Sequence, residues 1–284
     1  MARPGPARCE WTTREQAFTA FVRNESGTQG QGHIRPLHWH VACRVVIEGG
    51  FLPEDITPRP PLSATRRGGR WLLSIDEEAA GSGERSVLGG LKTKNVDVTV
   101  CKDGIGPVVA VSMKGTLNAF RNLTNRMEEA VGDCTNLHIS YPALVYGYLV
   151  VMKATREGKD VPPNDVAVKA DGSVVDSIRR YHDVLARLHG RDDVRAETTK
   201  YEAVALAMVT PDAAAAGTLL QGFPEETSPL RLNRFFDILY QQYDQRFVFA
   251  APALESATRR IEWASDSPIL SHQDIADFNP RVAE

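Results

Sequence analysis

Residues 95–130 read NVDVTVCKDGIGPVVAVSMKGTLNAFRNLTNRMEEA, and this stretch decides the fold. Val96-Asp97-Val98-Thr99-Val100 alternates apolar and polar side chains and is rich in β-branched residues, the pattern of a half-buried strand. Lys102-Asp103-Gly104-Ile105-Gly106 follows, and Asp-Gly tolerates the positive φ of a tight hairpin. Residues 108–114 form the return strand. A period of two places Ser112 and Lys114 on one face and Val109, Val111 and Met113 on the other. A hairpin centred near Gly104 sets Asp97 opposite positions 110–112, beside the Ser112/Lys114 face. From Leu117 onward, Leu117, Phe120, Leu123, Met127 and Ala130 recur at helical spacing, with Arg121, Asn125 and Glu128 along the flank.

An acid and an amine on adjacent strands are two parts of a site for phosphodiester hydrolysis. Such a reaction needs a cation to shield the phosphate, an activated water and stabilisation of developing negative charge. Mg²⁺ takes one or two carboxylates, and the position two residues before Lys114, where a second acid would serve, is Ser112. Glu128, 14 positions after Lys114, is the candidate that a helix folding back can supply.

In this order, Asp97, Ser112-Met113-Lys114 and Glu128 resemble the PD-(D/E)xK restriction-endonuclease superfamily. The closest likeness is to its subgroup with a Ser-x-Lys strand and a displaced helical glutamate, typified by enzymes cutting CCGG-containing sites. Arg126-Met127-Glu128 matches an Arg-x-Glu of that subgroup. Val96 stands where the superfamily's proline would be, and the 17 positions from Asp97 to Lys114 are fewer than usual there. Of the subgroup's base-reading Arg-x-acid-Arg, only Arg121 agrees, so CCGG recognition does not carry over.

The resemblance implies a Mg²⁺-dependent type II restriction endonuclease acting on double-stranded DNA as a homodimer, or a tetramer built from dimers. Asp97 and Glu128 would bind the metal and Lys114 would position the water. Glu48 is a fourth catalytic candidate, because the superfamily often carries an upstream helical glutamate near the metal; it reads equally well as an exposed helix end. The rivals are another nuclease of the same fold, in defence or repair, and a noncatalytic DNA-binding scaffold.

The 284 residues suffice for one large domain, and with no internal repeat or obvious linker the expectation is a single unit. It would comprise a helical part over about 1–60 and a catalytic core over about 70–250. Lys and Arg number 33 against 36 Asp and Glu, so the net charge of −3 excludes a wholly basic nucleic-acid coat, and local clusters must supply phosphate contacts. Cys9, Cys43, Cys101 and Cys134 lack zinc or CxxC spacing and read as reduced intracellular thiols. No apolar run is long enough to span a bilayer and the N-terminus is not a secretory signal, so a cytoplasmic location is expected.

Helices are predicted over residues 13–22, 36–48, 173–188 and 230–243, and buried strands over 143–153 and 201–209. A strand is expected over 71–75, an acidic loop over 76–85 and a short strand over 247–250. His38 and His40, two apart on a helix, diverge and so read as packing or phosphate-contacting residues rather than a metal pair. Arg66, Arg67 and Arg70 around Gly68-Gly69 form a mobile basic loop suited to DNA phosphates or simply to solvent. Lys92 and Lys94 can touch the DNA backbone. Arg121, Asn122 and Asn125 either reach a groove or lie on a helix surface. The expected architecture is α/β: a mixed central sheet flanked by helices, with a restriction-endonuclease-like core.

Overall fold

The computed structural model describes residues 7–24, 31–117 and 123–283. Two helices come first. Helix α1 (Arg14–Val22) opens on a capping box in which the Thr13 hydroxyl accepts from Gln16 N–H and the Gln16 side chain accepts from Thr13 N–H. Helix α2 (Arg35–Ile47) starts with Pro36 in its first turn, where a missing N–H costs no hydrogen bond. Strand β1 (Ile56–Thr57) is followed by the paired strands β2 (Leu62–Arg67) and β3 (Arg70–Ile75), then by a second pair, β4 (Arg85–Leu88) and β5 (Thr93–Val96). Strands β6 (Val98–Lys102) and β7 (Gly106–Thr116) form the central hairpin. Helix α3 (Leu123–Ser140), strand β8 (Val145–Lys153), helix α4 (Asp176–Arg187), strand β9 (Ala203–Val209) and helix α5 (Leu232–Tyr243) complete the core.

The main sheet has the order β1-β6-β7-β8-β9. β1, β6 and β7 pair antiparallel, while β7, β8 and β9 run parallel. The sheet is therefore mixed and helix-covered, the coarse class expected from the sequence. Both parallel crossovers, through α3 and through α4, lie on the same face. That follows when successive strands are added in one direction with right-handed connections. Val109, Val111 and Met113 pack toward a layer built with α1, α2 and α5. Ala110, with alternate residues of β8 and β9, packs toward α3 and α4. β8 is covered on both faces, so it reads as a continuous apolar run rather than an alternation. Gly147 is required there: a Cβ would come within 2.6 Å of the Phe235 ring, so any side chain would push α5 off the sheet.

Three local expectations are corrected. The basic segment at 66–70 is not a loop but the turn of the β2–β3 hairpin, with Gly68 and Gly69 at φ of 56° and 82°, as a two-residue primed turn requires. The acidic loop expected over 76–85 ends one residue early, since Arg85 opens the β4–β5 pair, which runs to Val96. The strand expected at 247–250 is instead part of a π-helical extension of α5 over Asp244–Phe249. Phe247 stacks on Tyr243 at 5.2 Å, and Arg246 reaches the buried Glu202, so the apolar run serves a helical face. Among the described residues no helix is long and apolar enough to cross a membrane. The four cysteines are unpaired, and only Cys101 is more than marginally exposed.

Candidate metal centre

Asp97 interrupts the alternation between β5 and β6 and stands at the amino end of β6. Because β6 is antiparallel to β7, that is the carboxyl end of β7, the edge of an α/β sheet where ligands bind. The pair Val98–Val111 places Asp97 beside Ser112 and Met113. Its Oδ2 accepts the Met113 backbone N–H at 2.6 Å. This hydrogen bond fixes the carboxylate against the next strand and leaves Oδ1 turned elsewhere.

Oδ1 lies 3.6 Å from His38 Nε2, at the N-terminal end of α2. Glu84, in the segment before β4, hydrogen-bonds Asp97. One ligand atom from each of His38, Glu84 and Asp97 can be chosen so that all lie within 4.8 Å of one another. His38 is 4 % exposed, and its Nε2 is buried without a hydrogen-bond partner. Burial lowers the His38 pKa to about 4; the Glu84 charge opposes the shift, and Arg35, His33 and Lys114 add to it. The imidazole is thus neutral, the form that ligates metals. Burial likewise raises the Asp97 carboxyl, against the pull of the Met113 N–H, Lys114, Glu84 and Lys94. Two carboxyl groups in hydrogen-bond contact must share a proton or a cation. Facing the cluster is a cleft of about 230 Å³ lined by Arg35, His38, Trp39, Pro58, Glu84 and Asn95 among others. An orphaned buried nitrogen beside two carboxylates fits a divalent cation.

Lys114, on the α3 side of β7, donates to Glu129 Oε1 at 2.8 Å. Burial alone would raise the Glu129 carboxyl, but the Lys114 ammonium, with Lys94 and Arg126, holds it below its ordinary value. Ser112 is not part of this constellation: its hydroxyl is buried and hydrogen-bonded to the Tyr146 hydroxyl at 2.8 Å.

The sequence-predicted residues divide accordingly. Asp97 and Lys114 lie at the same end of the hairpin, near enough for the Lys114 charge to act on the Asp97 carboxyl. Glu128 is not brought to them. It lines the groove between α3 and α4 with Met127, Val131, Arg180 and Val184, while its neighbour Glu129 faces Lys114. Consecutive helical residues point about 100° apart, so one position decides which acid meets the lysine. Glu48 lies ten residues from His38 along α2, roughly 15 Å at 1.5 Å per residue. It pairs with Arg44 at 2.8 Å and accepts from Asn279 N–H, so it closes the far end of the helix.

Among the proposed DNA contacts, Lys92 and Lys94 both pair with Asp133 of α3. Arg66 and Arg67 are exposed, and the Arg66 guanidinium lies 5.9 Å from the Trp71 ring centre. Arg70 pairs with Asp266 at 3.3 Å in the open. Arg66 shares a cleft with Lys102, the last residue of β6, five positions from Asp97 and so roughly 16 Å from it along the strand. Asn125 is exposed on α3, whereas Arg121 and Asn122 lie outside the described residues.

His38 and Glu84 were not assigned to the metal from sequence. His38 does diverge from His40, whose Nδ1 faces the Thr12 carbonyl at 3.0 Å, but divergence on the helix leaves each histidine open to a distant partner. Glu84 sits in a Gly/Ser-containing loop, 13 positions before Asp97, with no spacing that marks it. The chain matches no protein-family model, no curated protein and no solved structure.

Proposed function

We propose that the chain is a divalent-metal-dependent endonuclease of double-stranded DNA, of the type II restriction class and acting as a homodimer. The observation that supports this best is the meeting of Asp97, Glu84 and His38 at the end of β6 with Lys114 on the adjacent strand. The order of Asp97 and Lys114 along the hairpin is that of the PD-(D/E)xK resemblance. Mg²⁺ is the cofactor that resemblance implies, and a restriction-endonuclease-like core is the finer fold reading.

In this reading Asp97, Glu84 and His38 would hold a divalent cation, whose chemistry there would be charge neutralisation at the phosphate and activation of water. The Met113 N–H keeps Asp97 oriented without consuming Oδ1. Lys114 holds the attacking water and meets negative charge as it develops on the phosphate. Glu129 steers the lysine's ammonium, whereas Glu128, expected as the second metal ligand, lines the α3–α4 groove. Arg35, on the wall of the cleft, would take a phosphate oxygen. Cutting both strands of a palindrome requires two such sites related by a twofold axis, hence the dimer.

The experiment is incubation of plasmid DNA with the purified chain and Mg²⁺ or Mn²⁺, followed by sequencing of fragment ends. Ends at one short sequence support the restriction reading. Scattered ends retain a nuclease but remove the restriction class, and intact DNA under every metal removes the activity.

A further inference from the structure

The donor atoms at the head of β6 include a nitrogen, and that constrains the ion. We propose that His38, Glu84 and Asp97 form a single-ion site whose imidazole ligand selects a divalent first-row transition metal, Co²⁺ or Zn²⁺ before Mn²⁺, over Mg²⁺. The proposal rests on the candidate site just described but not on DNA being the substrate.

Three separate segments contribute: α2, the loop before β4 and the start of β6. Local packing within one element therefore does not explain why their polar atoms converge. A surface acidic cluster would leave its groups to water, but here the nitrogen is sealed in. His38 Nε2 is buried, faces Asp97 Oδ1 at 3.6 Å and has no hydrogen-bond partner. A buried polar atom without a partner is rare and calls for a specific explanation, of which an ion is one. Ligand atoms sharing an ion at bonds of about 2.0–2.2 Å stand roughly 3–3.5 Å apart, so groups within 4.8 Å need only a small inward shift.

Mg²⁺ binds oxygen and dehydrates reluctantly, so an imidazole gives it little. Imidazole nitrogen suits the later divalent ions, whose affinity for mixed nitrogen and oxygen sites rises along the transition series. Three protein ligands also leave positions open toward the cleft lined by Arg35 and Trp39, as a site that must admit water or an anionic group requires. The competing explanation is a proton shared between Glu84 and Asp97, with His38 idle.

The test uses the full chain stripped with a chelator and titrated calorimetrically with Co²⁺, Mn²⁺ and Mg²⁺. It compares wild type with His38→Ala and Asp97→Asn, with circular dichroism to show that each is folded. The expected result is one Co²⁺ per chain, with Mn²⁺ competing for the same site more weakly and Mg²⁺ binding at least about tenfold more weakly than Co²⁺. His38→Ala should weaken Co²⁺ by about tenfold or more while moving Mg²⁺ much less, and Asp97→Asn should weaken both. Absence of saturable binding, equal affinity for Mg²⁺ and Co²⁺, or unchanged Co²⁺ affinity in His38→Ala would each overturn the proposal. If His38→Ala does not fold, pulsed electron paramagnetic resonance of wild-type chain loaded with Mn²⁺ decides: a coordinated-nitrogen coupling supports the site and its absence overturns it. The two readings fail separately. Co²⁺ held through His38 with DNA never cut retires the nuclease, whereas Mg²⁺-driven cleavage without nitrogen coupling retires this site.

Discussion

Asp97→Asn separates a metal ligand from a structural acid. The amide oxygen can still accept the Met113 N–H that Asp97 accepts at 2.6 Å, so the strand junction is preserved. What disappears is a charge that burial disfavours and that sits in hydrogen-bond contact with Glu84. Without metal the variant should therefore be the more stable protein, by about 0.5–2 kcal/mol, the usual gain when a strained functional charge is removed. For 284 residues the unfolding entropy is roughly 0.6 kcal/mol/K, so Tm should rise by roughly 1–3 °C. A divalent ion at about 100 times its dissociation constant adds about 2.7 kcal/mol to a protein that binds it. That lifts the wild-type Tm by roughly 4–5 °C and moves the variant much less. The order of the two melting temperatures should thus invert when Mn²⁺ is added, as read by differential scanning calorimetry in chelator and in Mn²⁺. A variant less stable than wild type in chelator, together with a wild-type Tm indifferent to Mn²⁺, would refute the reasoning and make Asp97 a strand cap.

Lys114→Gln should abolish cleavage yet change stability by less than about 1 kcal/mol, since its pair with Glu129 is half-exposed. Single-turnover rates should fall in Glu129→Gln and hold in Glu128→Ala; the reverse would restore Glu128 as the acting acid. Arg66→Ala combined with Arg67→Ala should weaken duplex binding and reduce its salt dependence, measured by fluorescence anisotropy across ionic strength, and an unchanged slope would remove the β2–β3 hairpin from the interface. Glu202 is fully buried between Arg191 and Arg246 at 2.8 and 2.7 Å. Glu202→Gln should therefore destabilise the fold by about 3–5 kcal/mol in urea unfolding, because two arginines lose their counter-charge. Burial would raise the Glu202 carboxyl, but the facing His138, Arg246 and the Tyr146 N–H hold it below its ordinary value. A depressed carboxylate contributes stability that is complete above its unfolded-state pKa and lost as pH falls through the folded one, so the variant should also flatten the acid limb.

How much was legible follows from which signals are local. The β6–β7 hairpin could be read from Asp-Gly and strict alternation, and the observed pair Val98–Val111 lies where a turn at Gly104 puts it. β8 and β9 were readable as covered strands because burial on both faces leaves no polar interruption. The β2–β3 pair was hidden by its composition: Arg66, Arg67 and Arg70 look like loop, and only the two glycines hint at a turn. At the site, Asp97 and Lys114 were visible because a period of two places them from the hairpin alone. The choice between Glu128 and Glu129 depends on the phase of α3, which periodicity across the preceding connection does not determine to one residue. His38 and Glu84 depend on how α2 and the segment before β4 dock on the sheet, information carried by no local spacing.

Cleavage of duplex DNA at matched occupancy is the most direct measurement. Wild-type chain and Asp97→Asn would be brought to equal DNA binding, given Mg²⁺ or Mn²⁺, and followed in a single turnover. The expected result is discrete cutting by wild type and none by the variant. Undiminished cutting by Asp97→Asn, or intact DNA with the wild-type chain under either metal, would contradict it.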